Sequence, residues 1–329
     1  MEILTLANTK AILDTDTRCF IKWRLTDWCN YNCSYCIRAA FTQNRVDTLE
    51  RDFDKSWQRV LKAAPEVNRI LNEFGRPTKI DLIGGEITFF DLPKLLDILD
   101  SKYLETINIT TNLSNTLESY LKLLEICEKR NVELSLTASY HYEKADINEF
   151  FEKAKVLSTR MKHFKLEAVS LERNQEVIKI FIRRCIENNI LFIVEKDLTA
   201  TDEIRATLLD GSKSRPSNPR YKIIPEDKPA YLVKTRNLIV AEGLPETLGF
   251  FCTRDWNYVY IEIDEFLGHT DLINGCRNGC PVQDFHVLKE PAICTRRHCT
   301  LCGHMSLIRP DVYKDYINGV GDFKLDKLN

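Results

Sequence analysis

The sequence has no hydrophobic run approaching the roughly 18 residues that a membrane span needs. Its amino terminus, MEILTLANTKAILDTDTR, has no basic segment followed by an apolar core. The first lack excludes a spanning helix and the second a secretory signal. An excess of one charge is missing too: 46 Lys and Arg stand against 48 Asp and Glu, a formal net charge of -2. Without a basic excess, nothing marks a nucleic-acid backbone or an anionic membrane as a bulk partner. The short pairs Arg183–Arg184 and Arg296–Arg297 read as solvated faces. Internal repeats and low-complexity tracts are absent. The expectation is a soluble, cytoplasmic protein with neither membrane nor nucleic acid among its partners.

What is present is ordinary globular composition, 44% hydrophobic and 29% charged, which is enough for a sizeable core. Twelve cysteines are many for a cytosolic chain. In a reducing compartment, clustered cysteines point to metal or catalysis before disulfides. Three lie between 29 and 36 and six between 252 and 302, while Cys19, Cys127 and Cys185 stand alone. Cys127 and Cys185 sit on amphipathic helical patterns and are expected in the core.

Between about 18 and 196, short apolar runs alternate with segments of helical period. The expected strands are 20–26, 79–83, 105–110, 132–137, 164–170 and 190–195. The expected helices lie near 50–73, 91–101, 114–129, 147–160 and 175–188. Asp91 before Leu92–Pro93, and Asp146 with Glu149 three residues on, read as helix starts. Repeated βα units make the strands parallel, and chemistry then belongs at their carboxyl ends. Six units are too few to close an eightfold barrel. Residues 1–200 are therefore expected as one α/β core. Residues 201–247 read as a connection, rich in Pro, Ser and charge across Gly211–Pro229. Residues 248–329 form a small Cys-rich C-terminal domain, where Tyr258–Glu262 followed by Gly268 opens a β-hairpin.

Cys29, Cys33 and Cys36 make C-x3-C-x2-C directly after the first strand. A zinc site wants four ligands, and no fourth Cys or His lies nearby. A four-iron cluster held by three thiolates keeps one iron free for another ligand. Gly84-Gly85-Glu86 follows the second strand; glycines admit close backbone approach, and a carboxylate can pair with an ammonium. The plainer reading of the two glycines is a tight βα turn.

The cysteine spacing, Tyr35 before the third cysteine and the Gly84–Glu86 motif together resemble the radical S-adenosylmethionine (SAM) enzyme superfamily. The resemblance covers roughly residues 18–196 and implies a partial (β/α)6 TIM barrel. It implies a 4Fe–4S cluster on Cys29, Cys33 and Cys36, with SAM on its open iron. It also implies SAM contacts from Tyr35, Gly84, Gly85, Glu86, Thr111, Asn112, Ser135 and Val169. Thr137 stands where the family often has an acidic residue. The implied chemistry is reductive cleavage of SAM to a 5′-deoxyadenosyl radical, which abstracts hydrogen from a substrate carbon. A reducing partner such as flavodoxin or ferredoxin follows from it.

Cys252, Cys276, Cys280, Cys294, Cys299 and Cys302 form the second group. Its layout is similar to the SPASM and twitch extensions of that superfamily. Carried over, the ligand set for an auxiliary 4Fe–4S cluster is Cys252, Cys276, Cys299 and Cys302, with Cys280 and Cys294 as replacements or spectators. Four thiolates fit structural zinc equally well. His298 and His304 read as polar neighbours. An auxiliary cluster can accept an electron from a substrate radical, which makes net oxidation possible, and the resemblance implies oxidative modification or cross-linking of a ribosomally made peptide. No stretch ahead of the first strand is long enough for a separate leader-binding domain. That weighs toward the alternative, an aminosugar- or aminocyclitol-type dehydrogenase of small molecules. A peptide epimerase, with Cys280 or Cys294 as hydrogen donor, is the third outcome, and a non-enzymatic iron–sulfur or zinc-binding interaction protein the fourth. Tyr140, His141, Glu167 and Glu195 are candidates to face the substrate; Glu167, Glu195, Cys280 and Cys294 are the candidate catalytic residues.

Overall fold

A computed structural model describes residues 10–14, 19–36, 52–196, 220–224, 231–234, 251–252, 258–261, 266–267, 280–289, 292–293 and 307–308. The chain divides into two compact units. One holds Ile21–Ser214 with Tyr260–Phe266; the other holds Met1–Phe20, Arg215–Val259 and Leu267–Asn329.

In the first unit, strands alternate with helices. They are β2 (Cys19–Thr26), α1 (Phe53–Phe74), β3 (Thr78–Gly84), α2 (Leu92–Ile98), β4 (Leu104–Thr111) and α3 (Leu117–Lys129). After them come β5 (Glu133–Tyr140), α4 (Ile147–Arg160), β6 (His163–Ser170), α5 (Gln175–Glu187) and β7 (Phe192–Lys196). The strands stand side by side in the order β2-β3-β4-β5-β6-β7, and each pair from β3 to β7 is parallel. No further strand lies beyond β7 among the described residues. The result is an α/β fold with an open sheet, a partial barrel.

Period two decides the faces of each strand. In β6, Phe164, Leu166, Ala168 and Ser170 are buried, while Lys165, Glu167 and Val169 share the half-buried opposite face. Period 3.6 does the same for the helices: α1 buries Val60, Ala63, Ala64, Val67, Ile70, Leu71 and Phe74. Cys127 and Cys185 are fully buried, as their helical patterns predict.

The ends are set by caps. Asp91 accepts from the Lys94 amide and Asp146 from the Asn148 and Glu149 amides. Thr116, accepting from the Ser119 amide, starts α3. Each cap satisfies backbone donors that have no partner inside the helix. α1 ends on Gly75, whose φ of 60° suits a residue without Cβ.

In the second unit, β1 (Lys10–Asp14), β8 (Arg220–Ile224) and β9 (Tyr231–Lys234) form an antiparallel sheet in the order β1-β8-β9. The stretch Gly211–Pro229, which reads as a plain connection, thus carries a strand: Tyr221, Ile223 and Ile224 make RYKII sheet-forming between its prolines. β10 (Phe251–Cys252) pairs antiparallel with β14 (Ala292–Ile293) and with β15 (Leu307–Ile308). β11 (Tyr258–Ile261) and β12 (Phe266–Leu267), which flank and partly overlap the Tyr260–Phe266 segment of the first unit, are neighbours, the two strands expected of the hairpin. β13 is Cys280–Pro281. Among the described residues no helix is long and apolar enough to cross a membrane.

Candidate active site at the carboxyl ends of the strands

The two glycines that end β3 build the site. Gly84 has φ 154°, and a Cβ there would stand 2.5 Å from the Thr26 carbonyl oxygen. A Cβ on Gly85 would stand 1.6 Å from the carbonyl oxygen of Trp28. Only a bare backbone fits so close. What these glycines approach is therefore the protein itself, the segment that leads from β2 into the cysteine loop. Two backbone hydrogen bonds close the contact, Gly85 N–H to Thr26 O at 2.9 Å and Glu86 N–H to Trp28 O at 2.9 Å. Trp28 packs edge-on against Phe53 and Phe89, which anchors the base of the loop.

This seam delivers Glu86 into the interior, fully buried. Its carboxylate accepts four hydrogen bonds. Thr88 donates from Oγ1 (2.5 Å) and from its amide (3.2 Å), Thr111 from Oγ1 (2.8 Å), and Asn112 from its amide (2.6 Å). Burial pushes the carboxyl above its usual range, and these donors pull it back. No Lys or Arg among the described residues forms an ion pair with it. Four donors suit a carboxylate, and among the described residues no cation answers it.

The Thr111 hydroxyl also lies 3.1 Å from the phenol of Tyr120, whose acidity burial weakens to a pKa of about 12. Leu113 follows Asn112 with φ 59°, a left-handed conformation that costs a non-glycine residue energy. Lys153 holds that turn by donating to the carbonyls of Leu113 (3.2 Å) and Asn115 (3.0 Å).

Asn112 links the carboxylate to the cysteines. Its side-chain amide stands 3.8 Å from Cys29 Sγ and donates to Asn30 Oδ1 at 2.9 Å. Cys29 is exposed, Cys36 half-buried and Cys33 buried. Burial raises the Cys29 thiol, and it raises Cys33 to a pKa of about 11, with the charges of the neighbouring thiols adding to both. The three cysteines lie within one eight-residue stretch of the loop that follows β2. Among the described residues, no three Cys, His, Asp or Glu converge tightly enough for a single metal ion. A four-iron cluster asks for something else, since each thiolate binds its own iron. The donor set fits such a cluster.

The outer side of the loop is clamped. Glu143 accepts from the Ser34 amide (2.8 Å) and hydroxyl (2.5 Å), and Arg173 joins Glu143 at 3.1 Å and Tyr142 Oη at 2.7 Å. These hydrogen bonds hold the Glu143 carboxyl below its usual range. Tyr35 stacks on Tyr142 at 5.2 Å and 9°, and its hydroxyl lies 3.2 Å from His141 Nδ1. Desolvation raises the Tyr35 phenol, which keeps it protonated.

The structure thus brings Cys29, Cys33, Cys36, Tyr35, Glu86, Thr111 and Asn112 together. Val169, half-buried, lies one residue before the carboxyl end of β6, and Asn174 caps that end by donating to its carbonyl at 2.9 Å. Ser135 is elsewhere. Its register partner is Asn108, four residues before Asn112, and its hydroxyl donates to Asn108 Oδ1 at 2.8 Å. At about 3.3 Å per residue that sets it about 13 Å below the site. Ser139 stands four residues higher on the same face.

Tyr140 does not face a substrate: it is buried against Phe150 and Phe181 on the helix side of β5. Glu167 lies on the open face, paired with Lys165 at 2.5 Å. Glu195 is opposite Val169 in β7, and its side chain is not described. Of the second cysteine group, Cys276, Cys294, Cys299 and Cys302, with His298 and His304, lie outside the described residues. Cys252 and Cys280 are placed only as strand positions. Asn30, His141, Glu143 and Arg173 are the members that sequence reading alone did not assign to the loop.

No protein-family model and no curated protein matches the chain. Among solved structures it is similar to Streptococcus suis SuiB bound to S-adenosylmethionine, at 23% identity over 56% of this chain and 42% of that chain, TM-score 0.40. It is also similar to SuiB bound to precursor peptide SuiA, at 21% identity over 60% of this chain and 43% of that chain, TM-score 0.39. The chain spans less than half the length of SuiB in each.

Proposed function

We propose that this chain is a radical SAM enzyme. The observation that carries the reading is the buried Glu86 carboxylate: four protein donors hold it, no described cation pairs with it, and Asn112 ties it to Cys29. An ammonium is the group that such a carboxylate lacks, and the cysteine motif beside it fits a cluster with one open iron. In this reading Cys29, Cys33 and Cys36 hold a 4Fe–4S cluster, and Glu86 receives the SAM ammonium. When bound, the cluster supplies the electron that cleaves SAM and so generates the hydrogen-abstracting 5′-deoxyadenosyl radical. The chain's own work is to seat both groups on one rigid seam and to keep water from the buried side. Val169 stands at a height suited to pack against the adenine, and the open face with Glu167 meets the substrate.

The finer reading is oxidative modification or cross-linking of a ribosomally made peptide. It is supported by the second cysteine group, with Cys252, Cys276, Cys299 and Cys302 as ligands of an auxiliary cluster that accepts an electron from the substrate radical. A flavodoxin or ferredoxin supplies the first electron.

The test is anaerobic reconstitution with iron and sulfide, then dithionite and SAM, with assay for 5′-deoxyadenosine. Production above a Cys33→Ala control is expected, and none would end the enzyme reading. Iron content is an independent measure: about eight per chain fits two clusters, and about four removes the auxiliary one.

A further inference from the structure

We propose that His141, on the loop between β5 and α4, is a positioning residue that donates a hydrogen bond from Nδ1 to the sulfur of Cys33 and thereby raises the reduction potential of the cluster this cysteine holds. The inference rests on the cluster reading above and concerns a residue outside the motifs that suggest it.

His141 Nδ1 lies 3.5 Å from Cys33 Sγ, within the range for a hydrogen bond to sulfur, and 3.2 Å from the Tyr35 hydroxyl. Its ring is fixed on two sides. Tyr31 meets it edge-on at 6.0 Å and 82°, and Tyr35 lies nearly parallel at 6.1 Å and 22°. The backbone is fixed too, because the His141 carbonyl accepts from the Lys144 and Ala145 amides, both at 2.9 Å, in the turn that leads to the Asp146 cap. The imidazole therefore cannot swing away without dismantling either the aromatic stack or the turn.

Which way the hydrogen bond runs follows from what sits opposite. A neutral imidazole has one N–H and one lone pair, and its neighbours choose the tautomer. A thiolate bound to iron offers lone pairs only. Nδ1 then carries the proton, with the Tyr35 hydroxyl as a second polar neighbour beside the same sulfur. Hydrogen bonds to ligand sulfurs draw charge away from iron and favour the reduced state. Cys29 has donors of its own, the Tyr31 amide at 3.4 Å and the Asn112 side chain at 3.8 Å. The histidine neighbour of Cys33 belongs to another strand's loop and can be replaced without touching the backbone of the cysteine segment.

His141→Asn and His141→Leu are near-isosteric, and only Asn carries an N–H donor. The measurement is a redox titration of the reconstituted protein, following the reduced-cluster paramagnetic signal that changes when SAM is added, with iron counted per chain. Wild type and His141→Asn are expected at similar potentials, with His141→Leu shifted to a more negative one at equal iron. Loss of iron in the Leu variant with retention in the Asn variant also supports a donor role. Leu at the wild-type potential with full iron overturns the proposal, and so does Asn shifted as far as Leu or both variants losing iron. A wild type that takes up no iron overturns the cluster reading itself, and this inference with it.

Discussion

The carboxylate side of the site and the thiol side are held by different means. Glu86 sits in the interior with two hydrogen bonds from Thr88 in the short Ile87–Phe89 turn after β3 and two from Thr111 and Asn112 at the end of β4, so backbone close to the sheet determines where it stands. The cysteines lie on a loop graded from buried Cys33 to exposed Cys29, steadied by side chains from three other segments: Asn112, Glu143 and Arg173. One side is preorganised by backbone geometry, the other by a clamp of partly solvated groups. Preorganisation by backbone is costly to disturb, whereas solvent screens a clamp of this kind and makes it forgiving.

Gly85 joins the two sides, so Gly85→Ala breaks both. Its new Cβ would meet backbone 1.6 Å away, which no rotamer can relieve. The expected loss is about 3 kcal/mol of stability, read as a lowered urea midpoint of the cluster-free protein. Glu86→Gln isolates the carboxylate side. SAM affinity measured by calorimetry on the iron-loaded protein is expected to fall about tenfold or more while iron content holds, since a charge-assisted hydrogen bond contributes about 1.5–3 kcal/mol. Unchanged affinity would remove Glu86 from the ammonium role.

Glu143→Gln isolates the thiol side. Iron is expected to leave the protein faster under a chelator, by less than about fivefold, with SAM affinity unmoved. A loss of affinity there would show that the two sides are not separable. The smallest effect belongs to Ser135→Ala, which is expected to leave SAM affinity within about twofold, because register sets Ser135 well below the site.

That last case marks where sequence reading ends. Alternation and helical period carry enough information for β2 to β7 and α1 to α5, because each burial pattern repeats several times along its element. A single polar residue on a strand has no such repetition. Ser135 and Ser139 share a face, and only pairing with Asn108 tells which of them reaches the rim. Tyr140 fails for the related reason that one step along a strand exchanges faces. The Gly84–Gly85 pair was legible as a motif, but its approach to the Trp28 carbonyl depends on β2 lying beside β3. Glu143 and Arg173 carry no pattern at all. A half-buried acid and an exposed base look like ordinary surface in the sequence until tertiary structure sets them around Ser34.

The seam of Gly85 and Glu86 against Thr26 and Trp28 also bears on how the cofactor would be acquired. Small zinc domains fold only when metal arrives, because nothing else holds their ligands. Here the root of the cysteine loop is stitched to the sheet by two backbone hydrogen bonds that involve no metal. If the proposed cluster binds, the root of its loop is therefore already in place before it arrives, with Cys29 exposed. Loss of such a cluster would leave those two hydrogen bonds, and with them the root of the loop, to receive another.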